Sequence, residues 1–181
     1  MILGKKAIVL SFALLFFNFL NAQIELAHIN TKEFTSTGFG GFVGMATPVT
    51  MGNSITAEVG FYNFKNNNHQ IVLIPLVLGY RYTLNGTGKG LYVEPTAGYT
   101  IGGTDIQKAD KVNSSVVDDG LSVERKASGI TSGVVAGFIF PGKGALNMGL
   151  RYQHAFVAKD PALNMLSLRI SHFLCFKRRE R

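Results

Sequence analysis

The chain has 181 residues, a single cysteine, 21 glycines and a formal net charge of +7. This length fits one domain, and a lone cysteine excludes an internal disulfide framework. The excess positive charge lies at the two ends of the chain, with no basic stripe of interleaved aromatic residues between them, so nucleic-acid binding is not indicated.

Residues 1–22 have the pattern of a secretory signal peptide. Two lysines open the segment, a long apolar run follows, and the small residue Ala22 precedes the expected cleavage site. A transmembrane helix needs about 20 apolar residues, and this run is shorter and contains Asn18. We therefore predict an exported chain that begins at Gln23.

The remaining chain alternates apolar residues with small or polar ones in blocks of about 10 to 14 residues. Such blocks are longer than the globular strand of about 5 to 6 residues and suit a transmembrane strand of about 9 to 11. No segment has a sustained helical period. We predict eight strands, of which the first has the weakest pattern: 24–31, 36–48, 53–64, 70–83, 90–103, 128–140, 145–157 and 163–176.

The links between these strands differ in length. With the N-terminus in the periplasm, the short links fall on the periplasmic side: 50–52, 85–89 and 141–144. The long, charged link 104–127 falls on the external side, where we expect it to meet partners through Asp105, Lys108, Asp118, Asp119 and Arg125. Short periplasmic turns with longer external loops are typical of outer-membrane barrels.

Side chains alternate between the two faces of a strand, so each predicted strand separates by parity. In five strands one face is apolar, whereas the strand 36–48 is too rich in glycine to assign. A charge that faces lipid at midplane costs about 2 to 4 kcal/mol, so charges should avoid the apolar face. All five charged residues of the later strands do, which predicts a lumenal charge network of Glu58, Arg81, Glu94, Arg151 and Arg169.

The predicted fold is therefore all-β, an eight-stranded antiparallel up-and-down transmembrane barrel over residues 23–176, followed by a basic tail, 177–181. A barrel of eight strands is only wide enough inside to hold side chains, so we expect a filled lumen. Aromatic residues near the strand ends are expected to form interfacial girdles: Phe61, Tyr62, Tyr80, Tyr82, Tyr99, Phe138, Phe140, Tyr152 and Phe156.

The order and spacing of three segments resemble the porin-like outer-membrane β-barrel family, which is abundant in Bacteroidota and similar to OmpA- and OmpX-type barrels. They are IPLVLGYRY at 74–82, YVEPTAGY at 92–99 and GLRY at 149–152. The resemblance implies an outer-membrane location and recognition of the final strand, through Leu174 and Phe176, by the barrel-assembly machinery. Here the tail 177–181 follows Phe176, which departs from the family pattern.

Metal and catalytic chemistry have little support. No metal or cofactor is predicted, because the histidines lie in four separate segments: His28, His69, His154 and His172. Ser132 and His154 share the outward parity, and a register that pairs Phe140 with Leu146 would set them opposite each other. A hydrolytic triad also needs a carboxylate to orient the histidine, and no outward Asp or Glu accompanies this pair.

We predict an integral outer-membrane protein, surrounded by outer-membrane lipids, with a structural or surface-interaction function and no enzymatic activity. A narrow channel for small solutes is the first alternative, and a lipid-modifying hydrolase at Ser132 is the second. A soluble lipocalin-like barrel would need an apolar interior and a polar exterior, which is the reverse of the observed parity.

Overall fold

The computed structural model describes residues 20–31, 35–66, 69–106, 123–126, 128–142, 146–157 and 162–173. The predicted tail 177–181, Leu174, Phe176 and residues 1–19 of the predicted signal peptide lie outside these ranges. The strands within them are β1 Leu20–Asn30, β2 Thr35–Pro48, β3 Asn53–Asn66, β4 His69–Thr83, β5 Gly90–Ile106, β6 Val123–Lys126, β7 Gly129–Ile139, β8 Leu146–Val157 and β9 Leu163–Phe173.

One antiparallel sheet contains all of these strands and closes on itself. Its order is β4-β3-β2-β1-β9-β8-β7-β5, and the pairing of β4 with β5 completes the barrel. Closure leaves no wall strand with an unpaired edge, which is what a lipid environment demands of backbone N–H and C=O groups. The prediction of an eight-stranded antiparallel barrel is confirmed.

Strand β6 is a feature that the sequence did not reveal. Strand β6 pairs with the end of β5. Its register continues the register in which β7 pairs with the remainder of β5. The segment 104–127 was predicted as a loop, but it contains strand residues near both ends, because β5 runs to Ile106 and β6 covers Val123–Lys126. The wall strands β5 and β7 are thus prolonged by a two-stranded extension.

The register fixes the tilt of the strands. Starting at Leu20, one can step from each residue to its partner on the next strand until the path returns to β1. It returns at Asn30, which is ten residues from the start. With ~3.3 Å per residue and ~4.8 Å between strands, this shift gives a tilt of about 40°. The row of outward residues on this path is Leu20, Met45, Ala57, Leu78, Ala97, Ser132, His154, Asn164 and Asn30.

The two ends of the barrel differ, and we name them by their connections. The turn end carries the links that follow β2, β4 and β7, and the loop end carries the links that follow β1, β3 and β8 together with the long connection between β5 and β6. At the turn end, Gly86, Gly88 and Gly90 adopt positive φ angles of 67°, 73° and 85°, a conformation that favours glycine. These residues let the chain reverse tightly between β4 and β5, where Leu84 N–H donates to Leu91 C=O at 2.9 Å.

Glycines that lie opposite large side chains leave room for those side chains inside the barrel. A Cβ atom on Gly137 or Gly149 would lie 2.7 or 3.0 Å from the Tyr92 hydroxyl oxygen, so this buried ring fits only because both partners lack a side chain. No helix in the described ranges is long and apolar enough to cross a membrane.

Candidate functional site

The outer face of the barrel is apolar. Leu78, Leu150 and Leu168 are 65%, 55% and 44% exposed, although the residues beside them in sequence point inward. The predicted apolar faces of β3, β4, β5, β8 and β9 all lie on this outside surface. In β2, which the sequence left unassigned, Phe39 and Val43 point outward. This inversion of the polarity of a soluble protein is what a bilayer-spanning barrel requires.

The centre of the lumen holds an ionic cluster around Arg151. The Arg151 guanidinium donates to Glu58 and lies 3.2 Å from Glu25, while the Arg169 guanidinium lies 3.0 Å from Glu58. The amide of Gln23 donates to Glu58 at 2.8 Å. All of these side chains are buried, so the charges are compensated by each other rather than by bulk water.

Glu25 is the member of this cluster that the sequence did not reveal. It is 1% exposed and accepts hydrogen bonds from the Tyr62 hydroxyl at 2.5 Å and the Ser167 hydroxyl at 2.6 Å. Its strand has the weakest sequence pattern of the eight, so the predicted lumenal network does not include this charge. The signal that would have found it is its parity opposite Ile24 and Leu26, which both face outward.

A second ionic pair lies nearer the turn end. Arg81 Nε donates to Glu94 at 2.8 Å, and its guanidinium lies 4.8 Å from the centre of the Tyr92 ring. Glu94 also accepts from the Thr56 hydroxyl at 2.6 Å. Gly79 leaves room for this pair, because a Cβ there would lie 2.9 Å from the Glu94 carboxylate.

The structure therefore places the five predicted lumenal charges inside the barrel and divides them into two groups. Three belong to the central cluster and two form the pair beside Tyr92. With Glu25 included, the buried charges of the described chain are three arginines and three glutamates. The interior is formally neutral, which lowers the cost of holding six ions away from water.

Above the ions, toward the loop end, the interior becomes apolar. Phe64, Leu73 and their neighbours form a buried cluster that we call the apolar plug: Ala27, Ile29, Phe42, Tyr62, Phe64, Ile71, Leu73, Ala155, Leu163 and Met165. A cavity of about 10 Å³ lies beside it, lined in part by Thr100, Thr131 and Gln153. This space holds about one water molecule, so solutes have no room there.

The aromatic residues predicted to form girdles are exposed, with one exception. Tyr62 is fully buried, where its ring contacts Phe42 at 5.0 Å and stacks on Phe64 at 5.8 Å. Assigning Tyr62 to the lipid interface was wrong, because its position in β3 has the parity of Glu58 and points inward. Of the others, Tyr80, Tyr82, Phe138 and Phe140 lie near the turn end.

The predicted external-loop residues are described only in part. Asp105 lies in β5 and Arg125 in β6, where the structure describes the backbone alone. Lys108, Asp118 and Asp119 lie outside the described residues. Within the described ranges, no group of three or more His, Cys, Asp or Glu side chains could hold a metal ion.

Ser132 and His154 are outward polar residues near the loop end. Phe140 N–H donates to Leu146 C=O at 2.8 Å, and in this register Ser132 pairs with His154, as predicted. His154 in turn pairs with Asn164 of β9, and its Nδ1 lies 2.8 Å from the Asn164 Oδ1. An amide therefore occupies the position where a hydrolytic triad has its carboxylate.

No family model and no curated protein matches this sequence. Among solved structures, Ail, the attachment invasion locus protein of Yersinia pestis, is similar with a TM-score of 0.60 and 8% identity over 85% of this chain and 95% of that one. Neisserial surface protein A is similar with a TM-score of 0.58 and 14% identity over 86% and 96% of the two chains. The chain has the fold of the small eight-stranded outer-membrane β-barrels, integral membrane proteins that cross the bilayer with strands.

Proposed function

We propose that this protein is an integral outer-membrane barrel that serves as a rigid, non-conducting platform for surface interactions. The observation that carries the proposal is the filled interior, in which a neutral ionic cluster lies below the apolar plug. Such an interior stabilises the wall and leaves the segment beyond β5 and β6 to meet partners. Membership of the porin-like family and assembly through Leu174 and Phe176 belong to the same proposal.

The proposal includes removal of residues 1–22 on export. Cleavage after Ala22 would shorten β1 to Gln23–Asn30, which keeps the contact of Gln23 with Glu58 and that of Glu25 with Arg151. It would remove the Asn21 side chain, which accepts a hydrogen bond from Gln23 at 2.7 Å. Because Gln23 also donates to Glu58, the central cluster stays connected in the shortened strand.

The platform proposal predicts that the purified barrel does not conduct in planar bilayers. Ions would have to cross both the central cluster and the apolar plug, and the cavity of about 10 Å³ offers no passage between them. Single-channel recording should therefore show no stable steps at 1 M salt. A barrel of proven insertion that gives steps of porin size would establish the channel alternative instead.

We also propose that the barrel is not an enzyme. Hydrolysis at Ser132 needs an oriented base and free donors for the oxyanion. His154 is held by the neutral Asn164 rather than by a carboxylate. Strands β7 and β8 have ladder partners on both sides, so their backbone N–H groups are already used. Release of free fatty acid from outer-membrane lipids that stops in Ser132→Ala would contradict this proposal.

A further inference from the structure

One buried amide of the lumen has a donor that the protein does not satisfy. Gln153 is 2% exposed and lines the cavity of about 10 Å³ beside the apolar plug. Its Oε1 lies 3.4 Å from the Tyr62 hydroxyl, but the single proton of that hydroxyl goes to Glu25 at 2.5 Å. Within the described part of the chain, Gln153 Nε2 has no hydrogen-bond partner. Because an unsatisfied buried N–H group costs free energy, this amide requires a partner from outside the protein.

Two hydroxyl groups line the same cavity. Thr100 and Thr131 are both buried, and their Oγ1 atoms lie 2.5 Å apart. One hydroxyl of this pair donates to the other, so the proton of the second hydroxyl is left over. The described residues offer neither hydroxyl a second partner. The cavity therefore has an amide, a free hydroxyl proton and two hydroxyl oxygens in its lining.

We propose that this cavity binds a single water molecule, which Gln153, Thr100 and Thr131 hold. The volume of about 10 Å³ admits one water and nothing larger. A buried water typically makes about two to four hydrogen bonds, and these three side chains can supply that number. Water accepts from the Gln153 amide and from the free threonine proton, and it donates to a threonine oxygen. A cavity that stays dry is instead lined by apolar groups.

The charge of the interior disfavours an ion at this position. The buried charges of the described chain are three arginines and three glutamates, so an added ion would leave one charge uncompensated and away from bulk water. A neutral water adds no charge. Through Gln153 and Tyr62 it connects the threonine pair to Glu25 and so extends the network of the central cluster toward the loop end. The site lies inside the barrel and is independent of what the outer surface binds.

A crystal structure of the intact barrel, at a resolution that shows ordered waters, tests the site. The wild-type map should contain one density peak within hydrogen-bond distance of the Gln153 amide and of a hydroxyl oxygen of Thr100 or Thr131. A map without this peak, in which other ordered waters are visible, would overturn the proposal. Crystals grown in bromide exclude the alternative ligand, because an anomalous peak at this position would show an anion instead of a water.

The double variant Thr100→Val/Thr131→Val removes both hydroxyls while keeping the shape of the side chains. The amide of Gln153 is then the remaining polar partner among the three, which is fewer than a buried water needs, so the peak should disappear. Thr96→Val is the matched control, because Thr96 is also buried on β5 with an unpartnered hydroxyl in the described chain but does not line the cavity. This variant should keep the peak.

Retention of the peak in the double variant, or its loss in Thr96→Val, would contradict the assigned partners. A folded barrel shows a heat-modifiable shift in gel mobility, and each variant is scored for this shift before crystallisation. If the double variant does not fold, the wild-type map alone decides whether the cavity holds a water.

Discussion

Replacing Arg151 by methionine is expected to destabilise the barrel by about 3 to 5 kcal/mol, the cost of leaving a buried charge uncompensated. Arg151 contacts both Glu25 and Glu58, so its loss changes the formal charge of the described interior from zero to −1. The chain has no tryptophan, so the folded fraction is best followed by the gel shift across a urea series in vesicles.

The double variant R151M/E58M separates charge balance from simple loss of contacts. It removes more interactions than R151M but restores a neutral interior, and Glu25 keeps Arg169 as its direct cross-strand neighbour. We expect it to be more stable than R151M by about 1 to 2 kcal/mol, a coupling of the size found for residues in one network. A double variant less stable than R151M would refute the role given to neutrality. Gln153→Met, which alters a buried uncharged side chain, controls for the change in packing.

An arginine placed outward at mid-height is the second change with a large expected effect. Leu168 faces outward in β9, midway between His172 near the turn end and Asn164 near the loop end. Leu168→Arg should cost about 2 to 4 kcal/mol, because the charge would face hydrocarbon. The free energy of unfolding from vesicles, measured by the same urea series, gives this cost.

His172→Arg is the control on the same strand and face. Four residues nearer the turn end, an arginine reaches the interface, where the cost falls to about 0 to 1 kcal/mol. A cost at Leu168 that merely equals the cost at His172 would mean that this face does not contact lipid. A barrel in water would tolerate both substitutions equally well.

Most of the fold was predictable because a membrane wall imposes parity on every strand. The alternation of Leu166, Leu168 and Ile170 with Ser167 and Arg169 fixes which face is outside. The register that would set Ser132 opposite His154, with Phe140 paired to Leu146, is the one that the structure has. Each charge that faces lipid costs free energy independently of the others, so the alternation of outward apolar and inward polar residues recurs in strand after strand.

The parts that the sequence did not reveal depend on contacts between distant strands. Glu25 lies in the first strand, which has the weakest sequence pattern, and its role appears only when β1 closes against β9 and Glu25 meets Ser167 and Arg151. The prediction that Tyr62 lies at the interface is wrong, because aromatic composition does not distinguish a girdle from a core and the parity of Tyr62 points inward. The orienting role of Asn164 required the β8–β9 register.

The central claim is that the outer face meets lipid while the inner face is sealed, and a spin-label scan along β9 tests it most directly. In a Cys175→Ser background, single cysteines at Met165, Leu166, Ser167, Leu168 and Ile170 would carry a nitroxide in vesicles. The account predicts that collision with dissolved oxygen is high at Leu166, Leu168 and Ile170 and low at Met165 and Ser167. Equal oxygen collision at all five positions, or the reverse alternation, would contradict it.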